Sequence, residues 1–233
     1  TRQYTQSLAV LGRTLPLVGQ IKSRDGRHQG LLAASIIYNQ VGEYGLGRRY
    51  AEQVLADQAS GRSRCIAGNL RLEALQHLGK VPDDASYVAA IQRCQAVSEP
   101  VAVGFARSYL ARKWYAQGKV AEAAGLLEDH LHEVEATEYR YLVSEFHSLI
   151  AQYRMASGDS LAARRHARAV IARNLDDVHS LAPVRAFKVL YEIGEREPPL
   201  IVPYYREFGQ RLDHKNNRLV WGAMTALDSI AAQ

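Results

Sequence analysis

The sequence predicts an all-α solenoid of about five helix-turn-helix repeats with a terminal helix. Three observations carry that expectation. Glycines followed by an amphipathic stretch recur at Gly42-Glu43-Tyr44, Gly79-Lys80, Gly118-Lys119-Val120 and Gly158-Asp159-Ser160, separated by 37, 39 and 40 residues. Each glycine follows a segment with large apolar residues three and four apart and precedes one whose inward positions are small. Composition agrees: Ala and Leu dominate the apolar set, Arg supplies most of the positive charge, and Phe and Trp number four and two. Ala, Leu, Arg, Gln and Glu lose little rotamer freedom in a helix.

In chain order, residues 1–20 read as the second helix of a unit whose first helix lies outside the chain. The chain opens on Thr1 rather than Met and so reads as a piece of a longer protein. Leu31, Ala34 and Tyr38 mark the first helix before Gly42, and Gly47, Ala51 and Val54 the second helix after it. Leu72 and Leu75, Leu110 and Trp114, and Ile150 and Tyr153 mark the later first helices. Ala123 and Leu127, then Ala163, Ala167 and Val170, line the later second helices. Glycine suits each turn because it enters the left-handed conformation without a Cβ penalty. Small facing residues let two antiparallel helices approach closely. The units fall near 1–24, 25–61, 62–99, 100–138, 139–178 and 179–213, with a terminal helix at 217–233. The last unit starts near Pro183 with Val184 to Glu195 as its first helix, and Glu197-Pro198-Pro199 stands where its turn is expected. Pro203 then opens a helix ahead of Tyr204, Tyr205 and Phe208.

Two stretches carry the closest wording. They are Tyr115-Ala116-Gln117-Gly118-Lys119-Val120-Ala121-Glu122-Ala123 and Tyr153-Arg154-Met155-Ala156-Ser157-Gly158-Asp159-Ser160-Leu161-Ala162-Ala163. Each resembles the core of a tetratricopeptide (TPR) motif, with an aromatic before the turn, Gly at the turn and Ala on the second helix. The resemblance implies a right-handed superhelix. The spacing exceeds the usual length of about 34 residues. The glycine expected within the first helix is replaced by Ser35, Leu72, Ala111 and Ala151 in the successive units, and all but Leu72 are small.

Chemistry is sought next and none assembles. His130 and His132 are two apart and point to different sides of a helix, His166 has no His or carboxylate three or four residues away, and Glu138 and Glu145 are misplaced for a site with His147. The expectation is no metal, no cofactor and no catalytic residue, so this chain is read as a binding protein and not an enzyme. Gly42-Glu43-Tyr44-Gly45-Leu46-Gly47 lacks the preceding strand and the Gly-Lys-Ser/Thr of a phosphate loop, and reads as a hairpin turn plus one close-packing glycine. Glu128-Asp129 and Asp176-Asp177 read as helix-face or cap residues. Cys65 and Cys94 are expected to be separate, small buried residues in a reducing compartment, with an isolated disulfide as the alternative. The net charge of +5 comes from basic residues interleaved with acids, which argues against nucleic acid. The run Arg164, Arg165, His166 and Arg168 reads as a solvated outer helix face. No apolar run reaches the length of a membrane span.

A solenoid presents a concave face lined by its first helices. In this register Asn39, Asn69, Glu73, Gln76, Phe105, Arg112, Tyr115, Glu145, Gln152 and Met155 face that groove. The mixture of amide, charged and aromatic groups suits an extended peptide, a partner helix or a small-molecule signal. Arg112 and Tyr115 lead the set because Arg and Tyr dominate binding hot spots.

The run Arg185-Ala186-Phe187-Lys188-Val189-Leu190-Tyr191-Glu192-Ile193, with Tyr204-Tyr205-Arg206-Glu207-Phe208 beyond it, resembles the TPR-like sensory region preceding a GGDEF domain in some bacterial diguanylate cyclases. Similar regions precede histidine kinases and occur in MalT-type transcription regulators. The resemblance implies a cytoplasmic sensory module governing a separate output domain, with the periplasm as the alternative where a signal peptide has been removed. A homodimerisation or adaptor scaffold, built on the apolar stripe of the terminal helix, is the second expectation.

Overall fold

The computed structural model describes residues 4–174 and 181–195. Among them lie eleven α-helices, one 3₁₀ helix and no strand. The chain divides into two compact units, Thr1–Tyr109 and Leu110–Gln233, and the division falls inside one helix. The predicted helices around Pro203 and at 217–233, and most of the unit expected at 179–213, lie outside the described residues.

The first unit starts with α1 (Tyr4–Thr14) and a 3₁₀ helix at Leu15–Gln20. Pro16 accounts for the change, since proline has no N–H to continue the α-helical ladder. Helices α2 (Arg24–Gln40) and α3 (Tyr44–Ala56) form a hairpin, as do α4 (Gly61–His77) and α5 (Asp84–Gln95). The first ten residues of α6 (Pro100–Ala116) complete the unit. Side chains supply the starts: Ser23, Ser60 and Asp83 accept from the N–H groups of Gly26, Ser63 and Ser86 at 3.3, 3.3 and 2.9 Å.

The α2–α3 crossing is close because one residue has no side chain. Ser35 Oγ donates to the Gly47 carbonyl at 2.8 Å. A Cβ at Gly47 would stand 1.9 Å from Asn39 Oδ1 and 3.2 Å from the Ser35 carbonyl. Leu32, Ala51, Val54, Ala59 and Ala67 bury the core around this crossing.

Cys65 on α4 and Cys94 on α5 form a disulfide across Cα atoms 5.0 Å apart. This corrects the expectation of two separate thiols in favour of its alternative, an isolated disulfide. Burial holds, at 1% and 0% exposure. The α4–α5 hairpin nevertheless sets the two positions face to face, a register that a spacing of 29 residues does not disclose.

The second unit continues from the end of α6 into α7 (Val120–Asp129), a single turn α8 (Leu131–Glu135), α9 (Arg140–Ala156), α10 (Ser160–Asn174) and α11 (Leu181–Glu192). Helix α9 packs on α7, α10 and α11. Ala151, Ala163, Ala167, Val170, Ala182, Ala186 and Phe187 fill the core between the last three.

The turns repeat one geometry in both units. Gly42, Gly79, Gly118 and Gly158 have φ of 86°, 70°, 81° and 84°. The N–H after each glycine returns to the carbonyl five residues back: Glu43 to Tyr38, Lys80 to Leu75, Lys119 to Trp114 and Asp159 to Arg154, at 2.8–2.9 Å. This bond satisfies a carbonyl that the helix end leaves open. A fifth copy closes α11, where Gly194 has φ 91° and Glu195 N–H bonds the Leu190 carbonyl at 2.9 Å. The expected first helix running to Glu195, with Glu197-Pro198-Pro199 as its turn, is corrected accordingly. Helix α11 ends at Glu192 and its turn is Gly194-Glu195, 36 residues after Gly158.

Candidate functional site

The residues that the sequence places on one face of the first helices are mostly engaged with the next first helix. In the first unit Asn39 on α2 is buried, and its Nδ2 donates to the Leu70 carbonyl (3.0 Å) and to Glu73 Oε2 (2.8 Å) on α4. Asn69 on α4 is also buried and donates to the Ala102 carbonyl at 2.5 Å. Two helical turns further on, half-buried Gln76 donates to the Tyr109 carbonyl at 2.5 Å. Phe105 is half-buried, with its ring 6.3 Å from that of Tyr109. Buried amides must be hydrogen-bonded or they cost stability. Asn39 and Asn69 therefore act first as ties between helices, not as the open groove positions the sequence suggests.

In the second unit the corresponding face carries charge. Glu145 on α9 is only 2% exposed. Arg112 on α6 and Arg185 on α11 both hydrogen-bond its carboxylate, Arg185 Nη1 at 2.8 Å from Oε2 and 2.8 Å from Ser148 Oγ. Burial by itself would raise the Glu145 carboxyl, but the two guanidiniums and their hydrogen bonds override it and hold it down at about 2. The Arg112 and Arg185 side chains keep 26% and 19% of their surface in solvent. Two guanidiniums thus meet one buried carboxylate. Beside it the half-buried Tyr115 ring stacks on buried Tyr153, centroids 4.5 Å apart and planes 19° from parallel. Gln152 and Met155, on the same helix as Glu145, are half-buried. The structure thus brings Arg112 and Glu145 into one cluster with Tyr115 near it, and adds Arg185 and Ser148, which the sequence reading omits.

Family models, curated proteins and solved structures were compared with this chain, and none matches it.

A second polar cluster is invisible in the sequence. His147 on α9 and His166 on α10 are buried with their Nδ1 atoms 2.9 Å apart. Arg173 Nη1 lies 3.0 Å from His147 Nε2 and can only donate there. His147 Nε2 also stands 3.3 Å from Glu135 Oε1, and His166 Nε2 stands 3.3 Å from Arg165 Nη2, so each imidazole meets more than one partner. Glu135 Oε1, 3.3 Å from both Arg173 Nη atoms, holds the guanidinium in place. Burial, then the Arg173 charge, lowers the His147 imidazole. Burial, then the neighbouring His147 and Arg165, pushes His166 down to about 4. Glu135 and Arg173 also line a surface cleft of about 340 Å³ with Glu138, Arg140 and Val143.

The remaining candidates fall elsewhere. Arg164, Arg165 and Arg168 are exposed on α10. Arg164 Nε and Arg168 Nη2 both reach Glu195, at 2.7 and 2.8 Å, which pins α10 to the turn after α11. No group of three or more metal-ligating side chains converges among the described residues. No described helix is long and apolar enough to cross a membrane.

Proposed function

We propose that this chain is the binding and sensing module of a signalling protein, built as a right-handed superhelical solenoid of TPR-like hairpins. Its first-helix face takes a peptide or protein segment that carries a carboxylate. The observation supporting this reading is the Arg112–Glu145–Arg185 cluster beside the Tyr115–Tyr153 stack, set on a framework of five identically capped turns. Two partly solvated guanidiniums next to a flat aromatic ring suit a ligand that brings a carboxylate and an apolar group together. Hydrogen bonds to charged groups contribute about 1.5–3 kcal/mol each. Occupancy of that face would be relayed to a separate output domain, of the diguanylate cyclase kind that the sequence resemblance implies.

The compartment we propose is oxidising and extracytoplasmic, the periplasm in a bacterium. Support comes from the disulfide that joins the chain's only two cysteines, since such bridges persist where thiols are not kept reduced.

The test is a selection from a random peptide library against the purified protein, followed by titration of the winning peptides. Arg112→Ala and Tyr115→Ala should each weaken binding by about tenfold or more. Leu161→Ser, on the exposed side of α10 at 76% exposure, should leave it unchanged. Peptides that bind all three variants equally would dismiss the face.

A further inference from the structure

In the first unit α1, the 3₁₀ helix, α2 and α3 enclose a cleft of about 470 Å³, within the range of small-molecule sites, about 300–1,000 Å³. Leu15, Pro16, Val18 and Leu31 form the apolar part of its wall. The 3₁₀ segment buries no residue fully, so its apolar side chains remain available at the cleft. That segment is nonetheless fixed in place. Val18 lies against Gly30, where a Cβ would meet Val18 Cγ2 at 2.9 Å.

One charge in the lining has no counter-charge among the described residues. Arg27 Nη1 donates to the Ile21 and Lys22 carbonyls at 2.9 and 3.1 Å, which uses both of its hydrogens. The Nε–Nη2 edge, which can grip a carboxylate through two parallel N–H···O bonds, has no acidic partner among the described residues. Asp57, the acid in the same lining, is already matched. His28 Nε2 donates to its Oδ2 at 3.0 Å and Arg24 Nε stands 3.7 Å from Oδ1. The carbonyl bonds hold the Arg27 guanidinium in position, so little side-chain freedom is lost on binding.

We infer that this cleft is a binding site for a small monocarboxylate with an apolar body, its carboxylate on Arg27 and its alkyl or aryl part on Leu15, Pro16, Val18 and Leu31. The site is separate from the first-helix face of the second unit and stands whether or not that face binds peptide.

The probe is octanoate, titrated calorimetrically into the whole chain, with octylamine as the charge control. Octanoate should bind saturably and octylamine should not. Arg27→Gln should weaken octanoate by about tenfold or more, the weight of a charge-assisted hydrogen bond. Gly12 lines the cleft, and a Cβ there meets no atom within 4 Å. Gly12→Phe should therefore block the cleft without touching Arg27, and Gly12→Ala should leave octanoate binding intact. No octanoate binding at millimolar concentration, equal binding of octylamine, or unchanged affinity in both Arg27→Gln and Gly12→Phe would each overturn the site.

Discussion

Gly47→Ala sets local helix preference against the packing of α2 on α3. Inside a helix alanine is preferred to glycine by about 1 kcal/mol, so propensity alone predicts a more stable protein. The crossing predicts the opposite. A Cβ 1.9 Å from Asn39 Oδ1 forces that side chain to move. Asn39 is held by the Leu70 carbonyl and the Glu73 carboxylate, and loosening a buried amide from such partners costs about 1–3 kcal/mol. The Ser35 carbonyl, 3.2 Å from the new methyl, is backbone and yields little. Overpacking of this kind adds at least about 1 kcal/mol. With the propensity gain subtracted, Gly47→Ala should destabilise by about 1–3 kcal/mol in urea unfolding followed by circular dichroism. Gly45, on the same helix, meets nothing within 4 Å, and Gly45→Ala should be neutral or stabilising by up to about 1 kcal/mol. Adding Asn39→Ala to Gly47→Ala should recover part of the loss, a non-additivity expected only of side chains in contact. A Gly47→Ala protein as stable as the parent would mean that the α2–α3 crossing tolerates a Cβ at this position.

Four further outcomes follow from contacts elsewhere in the two units. Glu145→Ala leaves two half-buried guanidiniums without their carboxylate and should cost about 2–4 kcal/mol in urea unfolding, whereas Gln152→Ala, a half-buried neighbour on α9, should cost far less. His166 is held below its ordinary value, at about 4, so the folded chain binds fewer protons than the unfolded one. Its contribution is complete above pH 6.5 and is lost as pH falls toward 4, with a slope of up to about 1.4 kcal/mol per pH unit; His166→Gln should flatten that window. Glu145 gives a second window, between the ordinary carboxyl value of 4.5 and about 2, which Glu145→Ala should remove. Reduction of Cys65–Cys94 opens a loop whose ends lie 29 residues apart and should lower stability by about 2–4 kcal/mol, measured as a shift in the urea midpoint with and without reductant.

The helices were legible because their punctuation is local. Glycine at the turns and alanine on the second helices report backbone conformation and close approach, and both are written in the residues themselves. The fifth turn was misplaced because Pro198-Pro199 is a louder breaker than Gly194-Glu195. The face of the first helices was read only in part. Periodicity separates inward from outward positions, but Asn39, Asn69 and Glu145 lie on a flank that meets the next helix, and a two-way pattern has no place for it. The Asn39 and Asn69 amides are suited to such a flank because they satisfy open carbonyls across it. Pairings such as His147 with His166 and Cys65 with Cys94 depend on how one helix slides along another. Their spacings of 19 and 29 residues resemble no motif, so the histidine pair carries no signal in the sequence and the cysteine pair only the possibility of an isolated bridge.

The central claim is that the first-helix face binds a peptide, and amide chemical-shift mapping with a library-selected peptide tests it most directly. Shifts should concentrate on the end of α6, on α9 and on α11, around Arg112, Tyr115, Gln152 and Arg185. Shifts confined to α7 and α10, or to the cleft beside Arg27, would contradict it.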